Sequence, residues 1–540
     1  MYKNEMMQRQ TLPLLLAAAL LSSTCVAYNI LFMCPFPAPS HWMWMEHFSS
    51  ELLRRGHNVT TLTNHPVKQP HPNLTQIIIE PHFNITYYYR KEDIFKMHFS
   101  SEFANLNVYW HVGLLSSEHA LAQPAVKALI ASKHLTFDLI VLEQFFHESF
   151  LMFAHKFKCP VVTLGTMGYA DNMDHAMGLL TPWSFVPHLF LSHTDRMDFF
   201  ERACNTYLSL YDAVLRRWYY MPRMQEMAEK YFEGFIEGPL PQLSELVQNI
   251  SLMLINSHRA MDAPRPSMPG LVNVGGIHIK PAKPLPKDLQ SYLDNSTHGV
   301  IYFSLGSYLQ STDIPFEKIQ LLLNAFARLE QNVLWKFENH DTNTKLPKNV
   351  KIYKWLPQND ILAHPNLKLF ITHGGIFSTQ EGIHWGKPLL CIPFFGDQHR
   401  NAMKVTRAGY ARTLSFDTIT SEDLVHNIRM LINDDIYKRK AMEASRLFRD
   451  NPTIALQEAS FWLEYVIRHN GAIHLKSHGA YMPLYQYLLL DVLAGVVLFL
   501  FLVVSLIAFL GKVISRLMLS PRRKARSSEG VSKKTIKKID

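Results

Sequence analysis

Short apolar runs alternate with amphipathic segments along most of this chain. In the first half the apolar runs are YNILFMCPF, HNVTTLT, QIIIEP, FDLIVLEQ and CPVVTLGT, and the segment HWMWMEHFSSELLRRG has the spacing of a helix that ends at Gly56. Continuous apolar runs that are separated by helices are typical of buried parallel strands. The pattern therefore predicts an α/β domain with a parallel sheet that is wrapped by helices.

A second series of strands and helices follows a proline-rich stretch. Its apolar runs include GVIYFSLGS, NVLWKFE and NVKIYKWLP, and a helix is expected near residues 316–329. We predict a first domain at residues 28–257, a linker at 258–287 and a second α/β domain at 288–484. The helix after Thr453 could cross back to the first half. Two such domains leave a cleft between the carboxyl ends of their sheets, where ligands tend to bind.

Residues 170–235 interrupt the regular pattern with Met, aromatic and His residues, as in YADNMDHAMGLL and LRRWYYMPRM. A stripe of Met and aromatic residues is most often core packing, but beside a cleft it could line a pocket for apolar molecules. The segment could also rest on a membrane surface. The sequence leaves these interpretations open.

The first 27 residues predict a secretory signal. Lys3 and Arg9 form a basic start, residues 11–21 are apolar, and Ala27 is a small residue that suits cleavage. The apolar run is short, which favours a signal peptide at residues 1–27 over a membrane anchor.

The other end of the chain predicts a membrane span. Residues 492–510 carry no charge and are long enough to cross a bilayer as a helix, so we predict a transmembrane helix at residues 488–511. The tail at 512–540 contains ten Lys or Arg and two Asp or Glu, and it holds most of the net charge of +9. The positive-inside rule places this tail in the cytosol and the preceding chain in the lumen. A charge confined to the tail does not indicate nucleic-acid binding by the folded part.

Two further features fit a lumenal protein with one membrane span. Lys537 and Lys538 stand where a dilysine signal for retrieval to the endoplasmic reticulum would be. Five sites have the Asn-x-Ser/Thr pattern for glycosylation, and they are Asn58, Asn73, Asn84, Asn249 and Asn295.

Cysteines give no sign of a disulfide framework. Cys34, Cys159 and Cys391 lie in apolar, strand-like runs and are expected to be buried thiols. No pair of cysteines has the spacing of metal ligands, and we expect no metal site.

The stretch at residues 355–398 carries the most specific pattern. The strand LKLFIT ends at His373, Gly374 and Gly375 follow, and residues 376–385 have the character of a helix. Two glycines between a buried strand and a helix allow a tight turn and close approach of a ligand. The free N–H groups and positive dipole of the helix would suit a phosphate at that point.

This stretch resembles the nucleotide-sugar signature of the UDP-glycosyltransferases, the family-1 glycosyltransferases of the GT-B fold. Its wording, Gly-Gly-Ile-Phe-Ser-Thr-Gln-Glu, is more similar to the insect branch than to the mammalian one. The order of the segments also agrees, from the signal and Ser-His-Trp to FSLGS, the signature, the span and the basic tail. The resemblance implies two Rossmann-like domains that face each other across a cleft, plus a C-terminal transmembrane helix.

The resemblance also implies which residues hold the donor. Base stacking suits the flat face of an indole. The implied contacts are Trp355 with uracil, Gln358 with the nucleoside, Ser307, His373, Gly374, Gly375 and Ser378 with the diphosphate, Glu381 with the ribose, and Asp397 and Gln398 with the sugar hydroxyls.

Catalysis is expected from the first half. His41, in Ser-His-Trp, stands where the family has its catalytic His, and it would take the proton of the acceptor as a general base. The family's partner Asp follows the strand that resembles FDLIVL, where this chain has Glu143. Glu148 is a rival for this role, and Asp138 lies too early. A second departure is Phe377, where mammalian members often have Asn.

These features predict an inverting hexosyltransferase of the endoplasmic reticulum membrane. It would use a UDP-sugar, with glucose favoured over glucuronic acid, and a small lipophilic acceptor, and it would need no cofactor. One alternative is a membrane-anchored protein that binds UDP-sugars without catalysis, and another is a transferase that acts on a membrane lipid. The sequence leaves the acceptor and the oligomeric state open.

Overall fold

The structure is a computed structural model that describes residues 27–67, 69–80, 83, 101–307, 309–338 and 345–519. The predicted signal peptide, the glycosylation site at Asn84 and the dilysine signal lie outside the described residues. The chain divides into two units, one that ends at Ala480 and one that begins at Tyr481.

The first unit contains a sheet of seven parallel strands in the order β3-β2-β1-β4-β5-β6-β7. The predicted apolar runs form these strands, because their side chains are covered on both faces. The strands are β1 Asn29–Cys34, β2 Asn58–Thr63, β3 Leu74–Ile78, β4 Leu139–Glu143, β5 Val161–Gly165, β6 Leu252–Ile255 and β7 Leu271–Asn273.

α-Helices alternate with these strands along the sequence. The first, α1, begins at Pro39, two residues before the predicted helical segment, because proline is well suited to the first turn of a helix. It ends at Arg54, just before Gly56. The helices are α1 Pro39–Arg54, α2 Glu102–Ala122, α3 Pro124–Ala131, α4 Met152–Phe157, α5 Asp171–Ala176, α6 Phe199–Leu215, α7 Met221–Phe232 and α8 Leu243–Gln248, and a π-helical turn, Arg216–Tyr220, joins α6 to α7.

The same unit contains a second sheet of six parallel strands in the order β10-β9-β8-β11-β12-β13. Its strands are β8 Val300–Ser304, β9 Asn332–Lys336, β10 Val350–Tyr353, β11 Leu367–Thr372, β12 Leu389–Cys391 and β13 Ala411–Thr413. The helices after β7 are α9 Lys287–Asp294, α10 Phe316–Phe326, α11 Gln358–Ala363, α12 Ile376–His384, α13 Gln398–Arg407, α14 Ser421–Asn433, α15 Asp435–Arg449 and α16 Ala455–Arg468.

The last of these helices, α16, returns to the first half. Ala459, Leu463 and Val466 are fully buried in one apolar cluster with residues of α1 and of the first sheet. Residues 455–468 thus pack on the first sheet, although they follow the second one in the sequence.

The Met- and aromatic-rich segment at 170–235 contributes to the core. Met173, Met177, Tyr220 and Met224 are buried in the apolar cluster of the first half. No residue of the segment lines the large cleft described below. Core packing is therefore the role of its buried side chains, and the interpretation as a pocket wall is wrong for that cleft. Several aromatics on α6 and the π-helical turn are exposed, among them Phe200 and Trp218.

The second unit contains the short helix α17 Leu484–Tyr487 and the 30-residue helix α18 Leu490–Leu519. Among the described residues, α18 is the one helix that is long and apolar enough to cross a membrane. The helix begins near the predicted residue 488 and continues beyond the predicted end at residue 511.

The predicted cysteines and glycosylation sites are mostly placed as expected for their types. Cys34 and Cys391 are buried as predicted. The prediction of a buried Cys159 is wrong, because this residue lies partly exposed in the short connection before β5; Cys204 is also partly exposed, and all four are free thiols. The described glycosylation candidates Asn58, Asn249 and Asn295 are exposed, and Asn73 is partly exposed. Their modification stays a prediction.

Candidate active site

A cleft of about 470 Å³ is lined by residues from the carboxyl ends of both sheets. Open parallel α/β sheets bind ligands at the carboxyl ends of their strands, in the crevice where the order of the strands reverses. The predicted catalytic and donor residues that line the cleft are His41, Ser307, Trp355, Gln358, His373, Gly375, Ser378, Glu381, Asp397 and Gln398. Glu143 and Gly374 stand outside this lining.

His41 and Glu143 are brought together by the first sheet. β4 ends at Glu143, and His41 stands in the first turn of α1, directly after β1. The Nδ1 atom of His41 shares a hydrogen bond with Oε1 of Glu143. Glu143 is 1% exposed, whereas His41 borders the cleft. A carboxylate that accepts from Nδ1–H leaves the lone pair on Nε2, which is the form that a general base needs.

The rival carboxylates have other partners. Glu148 pairs with Arg216 in the interior, and it also accepts a hydrogen bond of 3.0 Å from the Tyr220 hydroxyl. Asp138 accepts a hydrogen bond of 2.7 Å from the backbone N–H of Asn29. Glu143 reaches His41 without a shift of the backbone, since β4 pairs with β1 in regular register up to Leu142.

Thr166 belongs to the same corner, and sequence reasoning missed it. It directly follows β5, and its hydroxyl lies 3.4 Å from Oε1 of Glu143 and 3.4 Å from Nδ1 of His41. Its position in the sequence could have indicated this role. Neighbouring parallel strands end at the same edge of a sheet, so the residues that directly follow them lie close together.

The end of the cleft where the nucleoside is predicted to bind combines an exposed aromatic face with a cation. Trp355 is 62% exposed and borders the cleft, so its indole face is accessible to a planar base. The Lys336 ammonium lies 5.8 Å from the centre of the Trp355 ring and donates to the carbonyl oxygen of Gly306 at 2.9 Å. Lys336 ends β9 and was another residue that the sequence reasoning missed.

A chain of hydrogen bonds joins the predicted nucleoside and ribose contacts. The Tyr302 hydroxyl donates to Oε1 of Gln358 at 3.2 Å. The side-chain amide of Gln358 then donates to Ser378 at 3.0 Å and to Glu381. Burial raises the pKa of Glu381 to about 7, and the nearby charge of Asp360 adds to the shift while the Gln358 hydrogen bond opposes it. Gln358 therefore orients two side chains that face the same part of the cleft.

His373 stands between two glycines where the second sheet meets the cleft. A Cβ atom on Gly306 would lie 2.5 Å from Cε1 of His373, and one on Gly375 would lie 2.4 Å from its Nε2. Both positions therefore have room for hydrogen alone. Burial lowers the pKa of His373 to about 4, and the charge of Lys336 contributes to the shift. The ring is thus neutral near pH 7 in the absence of an anion.

The helix α12 begins directly after these residues. Its N-terminal cap is Gly375, and Ser378 lies in its first turn. The unpaired N–H groups and the positive end of the dipole make such a helix start favourable for a phosphate group. Ser307 borders the cleft in the turn that follows β8.

We expect the substitution Gly375→Ala to weaken UDP-sugar binding by about fivefold, because the new methyl group forces the His373 ring out of its place and one polar contact is worth about 1 kcal/mol. The backbone φ at this position is ordinary, −60°, so the clash is the main effect. The apparent KM for the donor measures it. Gly495→Ala is the control, since a Cβ at that position meets no atom within 4 Å. An unchanged KM in Gly375→Ala would contradict the packing argument.

Asp397 and Gln398 are held in place at the start of α13. Asp397 accepts a hydrogen bond of 2.6 Å from the Asn401 side chain, and burial raises its pKa. The Oε1 atom of Gln398 accepts from the backbone N–H groups of Phe394 and Phe395, at 2.8 and 3.3 Å. The Gln398 carbonyl is therefore occupied, and its NH₂ group remains for another partner in the cleft.

The cleft wall near His41 is aromatic and apolar. The rings of Phe36 and Phe145 have centroids 4.5 Å apart, and His41 packs edge-on against Phe145 at 5.1 Å. Tyr109 and Met167 extend the same wall. Apolar surface around one polar reacting group is typical of a site for a lipophilic molecule. The cleft therefore has an apolar end at His41 and a polar end at the second sheet.

Within the described part of the chain, no three His, Cys, Asp or Glu side chains are arranged to hold a metal ion. The predicted donor contacts come from helix N–H groups, hydroxyls, amides, His373, the Trp355 ring and the carboxyl groups of Glu381 and Asp397. A reaction without metal stays a prediction.

Comparisons with known proteins first define the class. The solved structure of the glycotransferase of kitacinnamycin matches with a TM-score of 0.55 at 16% identity, and the match covers 82% of this chain and all of that one. With two parallel α/β sheets and a cleft at their carboxyl ends, the fold is that of the GT-B glycosyltransferases.

Sequence comparison then gives the family. The family model described as "UDP-glucoronosyl and UDP-glucosyl transferase" matches residues 31–523. UDP-glucosyltransferase 2 of Dactylopius coccus is 36% identical over 495 residues, which cover 91% of this chain and 93% of that one. UDP-glucuronosyltransferase 2B33 of Macaca mulatta is 34% identical over 477 residues, which cover 84% and 87%. The chain belongs to the UDP-glycosyltransferase family, and the predicted family and fold are confirmed.

Proposed function

We propose that this enzyme transfers glucose from UDP-glucose to a hydroxyl group of a small lipophilic acceptor, with inversion at the anomeric carbon and with His41 as the general base. The observation that carries the proposal is the His41–Glu143 pair at the apolar end of a cleft whose other end is lined by the predicted donor contacts. The base is thereby near an apolar wall for the acceptor and within the same cavity as the donor site.

The reaction follows from this arrangement. The acceptor hydroxyl gives its proton to Nε2 of His41 while its oxygen attacks the anomeric carbon. The bond from that carbon to the phosphate oxygen breaks, and UDP leaves from the opposite face. Glu143 stabilises the imidazolium that forms, as the carboxylate of a catalytic triad does. The start of α12, with Ser378 and His373, would stabilise the charge that develops on the diphosphate.

Glucose is favoured as the sugar over glucuronic acid. The support is the insect-like wording of the signature and the relative named UDP-glucosyltransferase 2, which is 36% identical. Asp397 and the NH₂ group of Gln398 would contact the sugar hydroxyls. Relatives that are named UDP-glucuronosyltransferases are nearly as similar, at 34% for that of Macaca mulatta, so both donors belong in the test.

The location proposed is the membrane of the endoplasmic reticulum, with the catalytic unit in the lumen. The support is the signal-like N-terminus, the apolar helix α18, the basic tail after it and the dilysine pair near the end. The exposed aromatics of α6 and the π-helical turn would suit a position near a membrane surface, since Trp and Tyr favour that interface.

A test of the donor and acceptor uses microsomes that contain the full chain. Labelled UDP-glucose and UDP-glucuronic acid are each supplied with phenols, steroids and membrane lipids. The expected result is transfer of glucose to a small phenol or steroid. Transfer to lipid alone would favour a membrane-lipid transferase, and binding of UDP without transfer from either donor would favour a non-catalytic binding protein.

The substitution His41→Ala is expected to abolish transfer while UDP still binds, because the base is lost and the donor contacts of the second half are untouched. Turnover and UDP binding are measured on the same microsomes. His134→Ala is the control, since His134 is exposed and lies outside the cleft lining. Unchanged turnover in His41→Ala would overturn the base assignment.

A further inference from the structure

Cys34 is the last residue of β1, and it lies beside Glu143, the residue that orients His41. β1 and β4 are parallel neighbours, and the pairing of Met33 with Leu142 places the next residues, Cys34 and Glu143, side by side at the edge of the sheet. Both side chains are buried, at 0% and 1% exposure. The Sγ atom of Cys34 lies 3.3 Å from Oε2 of Glu143, which is the oxygen that His41 does not contact.

The two oxygens of Glu143 thus have different partners. Oε1 shares the hydrogen bond with Nδ1 of His41, and the Thr166 hydroxyl lies 3.4 Å from the same oxygen. Among the described residues, the hydrogen bond to Oε2 comes from Cys34. A buried carboxylate that lacks a donor on one oxygen is unfavourable, because neither water nor protein replaces the lost hydration.

The thiol is suited to be a donor here. Burial raises the pKa of Cys34 well above its usual range, and the charge of Glu143 adds to the shift, so the proton stays on sulfur. The one alternative acceptor that the structure records, the carbonyl oxygen of Phe36, is farther away at 3.8 Å and carries no charge. The thiol proton therefore points to the carboxylate.

We propose that Cys34 is a positioning residue of the transfer reaction, which acts on His41 through Glu143. The thiol holds Oε2 so that Oε1 faces the imidazole. This inference rests on the proposed role of His41 as base. The hydrogen bond from Cys34 also offers a reason why glutamate can replace aspartate at position 143. Glutamate has one more rotatable bond than aspartate, and the second hydrogen bond removes the conformational freedom that this rotatable bond adds.

The test compares Cys34→Ala and Cys34→Ser in the full chain, because these variants differ only by a hydroxyl donor. Cys34→Ala is expected to lower kcat by about fivefold, the value of one weak hydrogen bond of about 1 kcal/mol, with the KM for UDP-glucose unchanged. The acid limb of the kcat/KM profile should move to higher pH, because a carboxylate without its second donor interacts more strongly with imidazolium. Cys34→Ser should restore both the rate and the limb.

Cys391→Ala is the matched control. Cys391 is also the last residue of a central strand and fully buried, but burial alone raises its pKa. Its loss should lower thermal stability through lost packing while kcat and the pH profile stay unchanged. Among the described residues, His147 and Asp397 are titratable groups that interact with the pair, and they are the same in all variants.

Two outcomes would overturn the inference. One is a wild-type kcat and pH profile in Cys34→Ala. The other is the same loss in Cys34→Ser as in Cys34→Ala, which would indicate packing rather than a donor. A double variant with Glu143→Gln adds a further condition, since a residue that acts through Glu143 should cause no further loss in that background. If His41→Ala retains turnover, the proposed function itself fails, and that result is distinct from a failure of Cys34 alone.

Discussion

Replacing Glu143 with glutamine is expected to lower kcat by about 10³- to 10⁴-fold, by analogy with the loss that follows when the carboxylate of a catalytic triad becomes an amide. A neutral amide does not stabilise the imidazolium that forms on His41. When its NH₂ group faces Nδ1, it also holds His41 in the tautomer whose Nε2 is already protonated. The side chain keeps its size, so the apolar packing around it should survive. Initial rates at saturating substrates give kcat, and calorimetric titration with UDP should give an unchanged Kd.

Glu148→Gln is the matched control for this prediction. Glu148 is also buried and lies five residues further along the chain, but its partners are Arg216 and Tyr220. Loss of its charge breaks the buried ion pair with Arg216 and leaves Asp212 as the nearby negative charge. Breaking such a pair costs up to about 3–5 kcal/mol of stability. We expect a lower Tm with kcat per folded molecule retained. A large loss of kcat in Glu148→Gln together with normal turnover in Glu143→Gln would reverse the assignment.

The strands of both sheets could be predicted from the sequence because their apolar runs are continuous. A residue such as Phe32 or Phe370, fully buried between covering elements, has to be apolar whatever its neighbours are. The signature at 355–398 was predictable for a different reason, since its glycines and polar residues stand at fixed offsets from one strand and one helix. Local spacing was therefore enough to select residues that border one cleft, and their contacts with the donor stay a prediction.

The corner around Glu143 could be predicted only in part. Its members Cys34, His41, Glu143 and Thr166 come from the ends of three strands, and their proximity depends on the order β1-β4-β5 in the sheet. No local feature of the sequence predicts this strand order. Glu143 was found through a resemblance, whereas Thr166 and Cys34 had no motif of their own.

Residues 170–235 show the other limit. Buried Met173 and Met224 and exposed Phe200 and Trp218 have similar hydropathy, so composition does not separate core from surface. The placement of Met224, Phe200 and Trp218 depends on how α6, α7 and the π-helical turn pack on α2, which is a long-range contact. The same holds for α16, whose apolar face could have covered either sheet.

Glu381 leads to a second large effect, in which stability and function oppose each other. Burial raises its pKa from 4.5 to about 7, so the folded state binds a proton more tightly than the unfolded state does. Between these values stability falls as the pH rises, and above pH 7 ionised Glu381 costs about 3 kcal/mol. Glu381→Gln removes the charge. We therefore expect the variant to be more stable than the wild-type enzyme at pH 8, by up to this amount, and no more stable at pH 4.5.

The same substitution should weaken donor binding. If ionised Glu381 accepts hydrogen bonds from the ribose hydroxyls, its loss costs about 1.5–3 kcal/mol, or roughly 10- to 150-fold in Kd. In the wild-type enzyme, the affinity for UDP-glucose should fall as the pH decreases below 7, since the carboxyl must lose its proton to bind. The diphosphate of UDP-glucose does not titrate in this range, so the ligand adds no slope. The affinity of Glu381→Gln should not change over the same range.

Glu51→Gln serves as the control of opposite sign. Glu51 is as buried as Glu381, at 9% exposure, but hydrogen bonds from Arg54 lower its pKa, as do those from Arg55. Its folded state therefore favours the ionised form, and its loss should decrease stability at pH 8 rather than increase it. Melting curves at pH 4.5 and pH 8, with and without UDP-glucose, measure both effects. A Glu381→Gln enzyme that is less stable at pH 8, or that binds UDP-glucose as tightly as the wild type, would show that this carboxylate is a structural group and not the ribose contact.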